Sequence, residues 1–261
     1  MTHSAAMTAE VYLNGEKLIR HEGSYSTFRV DLTEHLHENN LLAVSVDNGA
    51  DQRVYPQNAD FTFYGGLYRD VKLILVPAVH FALEYCETPG IKVTPEVDLS
   101  SGNAIVTVEA WVEGEGTDGQ TVTFAVAGHT QTARIADGHV QSVFAIENVH
   151  LWDGLEDPFL YTASAVLDSD SGRDKVSARF GCRKFEIDPQ KGFLLNGRTY
   201  PLRGVSCHQD RAGIGSALTP DDHRANMDIV RELGANTLRL AQCLYIGYSQ
   251  PYPGHSGCGQ L

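Results

Sequence analysis

The 261-residue sequence contains no apolar run near the ~18 residues that a membrane-spanning helix needs. Basic residues are scarce: Lys and Arg total 20 against 33 Asp and Glu, a net charge of −13. That balance argues against a nucleic-acid partner, which would require a basic face to offset phosphate charge. Cysteine is scarce and unhelpfully spaced. Cys86, Cys182, Cys207, Cys243 and Cys258 are odd in number and include no CxxC pair, so a reduced, scattered set is expected rather than a metal site or disulfide framework. The N-terminal MTHSAAMTAE lacks the charged-then-apolar pattern of a secretory leader, and a soluble, cytoplasmic protein with no membrane partner is expected. What is plentiful is apolar residues, 42% against 20% charged, enough for a core shared among one to three domains.

Up to about residue 185 the chain reads as short strands. Val11 to Leu13 runs into Asn14-Gly15, a type I′ hairpin signal. Leu41 to Val46 is an apolar strand ending at Asp47-Asn48-Gly49. Tyr68 to Val76 alternates and stops at Pro77, which cannot extend a central strand. A second block, from about His80 to Phe185, has strands at Ile105 to Val112 and Thr121 to Val126. In the latter, Val122, Phe124 and Val126 point one way and Thr121, Thr123 and Ala125 the other. Ser101-Gly102-Asn103, Thr117-Asp118-Gly119 and Asp137-Gly138 punctuate it at short intervals, as in a β-sandwich. Trp111 and Trp152 read as packing residues rather than sugar platforms.

Beyond Phe185 the pattern changes. A hairpin at Phe193 to Arg198 and a strand at Leu202 to Ser206 lead to a helix with clear edges. Thr219 is its N-cap, Pro220 takes the first helical position and Asp222 the capping-box position. Met227, Val230 and Leu233 form its apolar stripe, and Gly234 stops it. Asn236 to Ala241 is the next strand, so strand, helix and strand make the opening βαβ unit of a parallel α/β domain. The tail from Gln242 to Leu261 departs from this pattern, and no second helix or third strand follows.

Three segments resemble glycoside hydrolase family 2, and within it the β-galactosidases. Val11-Tyr12-Leu13-Asn14-Gly15, through His21 to Tyr25 and Phe28 to Leu32, resembles the latter half of the family's jelly-roll sugar-binding domain. Asp60-Phe61 through Gly65-Gly66-Leu67-Tyr68-Arg69-Asp70-Val71 resembles that domain's last strand and the loop before it. Leu202 to Asp210 resembles the first strand of the family's (β/α)8 TIM barrel, and Asn236 to Ala241 the second. The resemblance implies a mainly β chain. Its parts would be the C-terminal part of a jelly roll over 1–79, an immunoglobulin-like β-sandwich over 80–185, and the first βαβ unit of a barrel over 186–241. Residues 242–261 are then a tail unlike the family, whose abrupt departure at Gln242 reads as a shifted frame or a miscalled gene end.

Retaining glycosidases use two carboxyl groups ~5–5.5 Å apart. The resemblance places both, as glutamates, on later barrel strands, and no position here matches either. Glu232, on the helix, reads as a solvated surface residue. No catalytic residue is therefore expected, and the chain alone is expected to be inactive. Three residues match positions that surround substrate in the family. His208, ending the first barrel strand, would donate to a sugar hydroxyl. Arg239, in the second strand, would orient the nucleophile. Asp60 would reach into the barrel mouth and contact both sugar and a monovalent cation; Mg is the other ion the resemblance implies for the complete enzyme. Cys207 stands where an arginine is often found, and Gln242 where a histidine is expected. The implied substrate is a terminal β-galactoside. A non-catalytic carbohydrate-binding module is the alternative, as is an interaction piece that self-associates or docks on a second chain supplying the rest of the barrel.

Overall fold

The computed structural model describes residues 5–23, 26–49, 51, 53–54, 62–83, 85, 88–208 and 210–240. Its secondary structure is mainly β, as the sequence implies. The described residues fall into two compact units, one within 5–74 and 203–240 and the other within 75–202.

The first unit opens with β1 (Ala5–Ala6), β2 (Thr8–Leu13), β3 (Glu16–Glu22), β4 (Leu42–Asp47) and β5 (Gly66–Leu67). β2 is central, with antiparallel β3 and β4 on either side. The β2–β3 hairpin closes through Asn14-Gly15, with φ of 54° and 88°. Both central residues are left-handed, which is the type I′ geometry that matches strand twist. Ala5, Ala9, Val11 and Phe28 are buried together on one face of this sheet. On the opposite face Glu10 takes charged donors from Lys17 and Arg20.

The expected strand over Tyr68 to Val76 is not formed. The regular ladder is confined to Gly66–Leu67, paired with β1. Alternation decides which side chains share a face, but a strand requires backbone partners as well. Leu73 and Leu75 accordingly stay exposed.

The second unit holds β6 (His80–Phe81), β7 (Ile91–Asp98), β8 (Asn103–Glu113), β9 (Thr121–Val126), β10 (His129–Arg134), β11 (His139–Ile146), β12 (Tyr161–Ser169) and β13 (Gly172–Phe180). These form two sheets, one ordered β10-β9-β12-β13 and the other β11-β8-β6 with β7 also on β8. The expected alternation in β9 is observed: Val122, Phe124 and Val126 are all buried. Val106, Val108 and Ala110 of β8, Phe144 of β11 and Leu167 of β12 join them in one core. Each fully buried Val, Leu or Phe contributes roughly 1.5–3 kcal/mol. Pro95 sits in β7, whose one ladder is to β8, so its missing N–H falls on an edge. Trp111 lies on the outward face of β8, stacked on Tyr85 with ring centroids 3.5 Å apart and tilted against His139. Trp152 packs against Gly181 and carries the Arg183 guanidinium over its ring. A meander of β14 (Phe185–Asp188), β15 (Gly192–Leu195) and β16 (Arg198–Thr199) ends the unit, turning at Asn196-Gly197 as expected.

The chain then returns to the first unit with β17 (Gly204–Cys207), α1 (Pro220–Glu232) and β18 (Thr237–Leu240). β17 begins two residues later than expected, at Gly204, where its pairing with Thr237 begins. β17 and β18 are parallel, with Gly204 opposite Thr237 and Cys207 opposite Leu240. The capping box forms as expected. Asp222 N–H donates to the Thr219 hydroxyl, and Asp222 Oδ2 accepts from Thr219 N–H at 2.9 Å. The apolar stripe does not behave as a core stripe. No residue of α1 is buried; of the expected stripe, Met227 and Val230 are half-buried and Leu233 is exposed. Periodicity marks the face that could be covered, and covering it takes a packing partner.

Candidate functional site

The C-terminal ends of β17 and β18 carry the residues singled out from sequence. In parallel βα architectures this is the end where substrate is handled. Ser206 and Arg239 are directly opposite in the ladder, and Arg239 Nη1 donates to Ser206 Oγ at 3.4 Å. The Arg239 side chain is thus turned across its strand toward β17. His208 lies just past the end of β17, exposed, two residues beyond Ser206. Between them Cys207 donates its thiol to the His208 carbonyl at 3.3 Å. Burial, reinforced by the charge of Asp210, pushes the Cys207 thiol up, so it is held as a neutral thiol rather than a nucleophilic thiolate. The structure therefore gathers His208 and Arg239 at one strand end. Asp60, the third expected site residue, lies outside the described residues, as do Gln242, Cys86, Cys243 and Cys258. Among the described residues no three His, Cys, Asp or Glu side chains come together as metal ligands.

The loop after β17 is braced at several points. Arg211 N–H donates to the Gly215 carbonyl and Gly215 N–H to the Arg211 carbonyl, at 3.0 and 2.9 Å. Arg211 Nη1 reaches Asp222 Oδ1 at 2.9 Å, joining the loop to the first turn of α1. The Thr219 hydrogen bonds hold the Asp222 carboxyl below its ordinary range, with Arg211 adding to the effect. His223, one residue on, is pushed toward the neutral form first by burial and then by the positive charge of Arg69. The Tyr64 ring lies against Gly215, where φ is +56° and a Cβ would come within 2.9 Å of the ring. Arg69 donates to the Ser216 carbonyl. Sequence reasoning singled out neither Tyr64 nor the Arg69 contact. Arg69 stood within a recognisable motif, but a backbone carbonyl 147 positions away leaves no residue-type signature.

The glycosyl hydrolases family 2 model matches residues 87–183. A β-glucuronidase of Bacteroides fragilis is 36% identical over 248 residues, covering 89% of this chain and 35% of that protein. A β-galactosidase of Bacteroides ovatus is 30% identical over 253 residues, covering 90% of this chain and 28% of that protein. The crystal structure of an FMN-binding β-glucuronidase from Facaelibacterium prausnitzii L2-6 superposes with a TM-score of 0.85 at 39% identity, covering 92% of this chain and 38% of that one. The chain belongs to glycosyl hydrolases family 2. It spans about a third of the length of the curated relatives it matches.

No helix among the described residues is long and apolar enough to cross a membrane.

Proposed function

We propose that this chain is the substrate-framing part of a family 2 retaining β-glycosidase and supplies the walls of a sugar site rather than its nucleophile or acid. The observation that carries this reading is the parallel β17–β18 pair, which brings His208 and Arg239 to the same strand ends. An exposed imidazole there suits a sugar hydroxyl, as donor or acceptor. Arg239 is a fixed cation with donors beyond the one directed at Ser206, suited to orienting a carboxylate. The substrate reading favoured is a terminal β-glucuronide, because the relatives at 36% and 39% identity carry the name β-glucuronidase. A terminal β-galactoside is the second reading, supported by the relative at 30%. In either case hydrolysis requires a pair of carboxyl groups ~5–5.5 Å apart, and the reading assigns neither role to a residue of this chain.

The test is direct. The purified 261-residue chain, freed of host glycosidases, is incubated with chromogenic β-D-glucuronide and β-D-galactoside. No release of chromophore is expected from either. Release that tracks the protein through successive columns would overturn the reading, and a preference between the two sugars would name the substrate.

A further inference from the structure

We infer that Arg69 is a positioning residue: it clamps the loop after β17 to the β1–β5 side of the unit and so fixes the backbone that carries His208. The inference rests on the reading of His208 as a sugar-facing residue only for its functional meaning; the clamp itself rests on geometry.

Arg69 lies outside any strand, yet it bridges two parts of the chain. Its Nη1 donates to the Ser216 carbonyl and, at 3.2 Å, to the carbonyl of its neighbour Tyr68. The guanidinium also lies 5.1 Å above the Tyr68 ring. Tyr68 in turn packs on the buried trio Ala6, Met7 and Val54. Its anchor is therefore apolar core on one side, and its grip is a backbone carbonyl on the other. The segment leading to Arg69 is held as well. Asn48, just past β4, donates to the Phe63 carbonyl at 3.2 Å, and a Cβ at Gly65 would fall 2.7 Å from the Asn48 side chain. Tyr64 on Gly215 makes a second contact between the same two segments, one residue from the Ser216 carbonyl. The far end of the loop is fixed by Arg211 on Asp222 and by the Thr219 cap.

The chemistry asks for arginine specifically. One guanidinium nitrogen, Nη1, serves both carbonyls while the central carbon sits over the Tyr68 ring, and this delocalised, weakly hydrated group suits a ring face better than an ammonium, which is a hydrated point charge on a flexible stem. A lysine here keeps the charge and loses the guanidinium held over the ring. Hydrogen bonds from a charged donor are also stronger than neutral ones, so this contact outweighs an ordinary turn bond in holding the loop.

The experiment is amide hydrogen exchange by NMR on the full 261-residue chain as wild type, R69A and R69K. The readouts are the loop amides of Arg211, Ile214, Gly215 and Ala217, all donors in the loop's own bonds, together with the His208 imidazole resonance. Expected in both variants is exchange roughly tenfold or more faster at those amides, a displaced His208 signal, and unchanged protection at Val108 and Phe124. Full protection and an unmoved His208 signal in R69A would overturn the clamp, and complete rescue by R69K would overturn the need for a guanidinium. If R69A loses the fold of its sheet, R69K carries the test, since it retains stem and charge. Titration of the wild type with methyl β-D-glucuronide and methyl β-D-galactoside is read separately. A silent His208 in both titrations would remove the sugar-facing role from His208 and leave the exchange result to decide the clamp.

Discussion

Phe124 and Leu233 are both large apolar residues placed by a clean periodicity, one by the alternation of β9 and the other by the stripe of α1. Phe124 is 0% exposed and Leu233 is 69% exposed. The difference lies in what surrounds them. Phe124 faces a second sheet that turns its own alternating residues inward, so two half-buried surfaces close one core. The helix α1 stands with a two-stranded parallel pair, and no residue of it is buried. The sandwich is thus the part of the chain that supplies its own burial. The β17–α1–β18 unit is held together more by capping, ion pairs and the loop contacts described above. A region organised by polar contacts can present His208 and Arg239 openly, and its stability depends on a few named bonds.

The comparison can be broken most forcefully at Phe124. Phe124→Ala is expected to cost about 3–5 kcal/mol, the transfer loss plus an unrelaxed cavity. Both tryptophans, Trp111 and Trp152, belong to the same unit, so urea unfolding followed by tryptophan fluorescence reads this cost without interference from β17, α1 or β18. A loss under about 1 kcal/mol would mean that the core can collapse around the gap, against the close packing argued here.

A smaller effect is expected where the other region depends on a cap. Thr219→Ala removes the hydroxyl that satisfies the Asp222 N–H and should destabilise α1 by about 1 kcal/mol. Ellipticity at 222 nm in a urea titration would show the helix melting earlier, while the tryptophan transition stays in place. Coincident shifts of both signals would show that the two regions unfold as one, which would sharpen the comparison into a statement about cooperativity.

The smallest effect is expected at Leu233→Ala. An exposed side chain that fills no cavity should change stability by no more than about 0.5 kcal/mol. A loss above about 2 kcal/mol, measured by the same 222 nm signal, would show that this face is covered in solution.

Much of the architecture was legible in the sequence because its signals are local. The Asn14-Gly15 and Asn196-Gly197 turns were readable from two residues each, since few side chains accept a left-handed backbone. The start of α1 was readable from Thr219, Pro220 and Asp222, because the cap satisfies N–H groups within three residues and proline lacks the N–H that would have no helical partner there. The strand expected over Tyr68 to Val76 failed because its alternation said nothing of a backbone partner. Of the site, His208 and Arg239 were found through family resemblance, and the parallel register then set Arg239 opposite Ser206. Arg69 on Ser216 and Tyr64 on Gly215 were beyond reach, because a backbone carbonyl and a glycine carry no information about a partner more than a hundred residues away.

By itself, then, the sequence determined the turns, the caps, the strand of β8, the alternation of β9, and membership of a family, all of which depend on residues near one another or on motifs in order. Only the tertiary structure decided which apolar faces are covered, which alternating segment becomes a strand, and how the loop beside His208 is held. Those outcomes depend on which distant surfaces meet, and burial or a carbonyl-directed hydrogen bond exists only once they have done so.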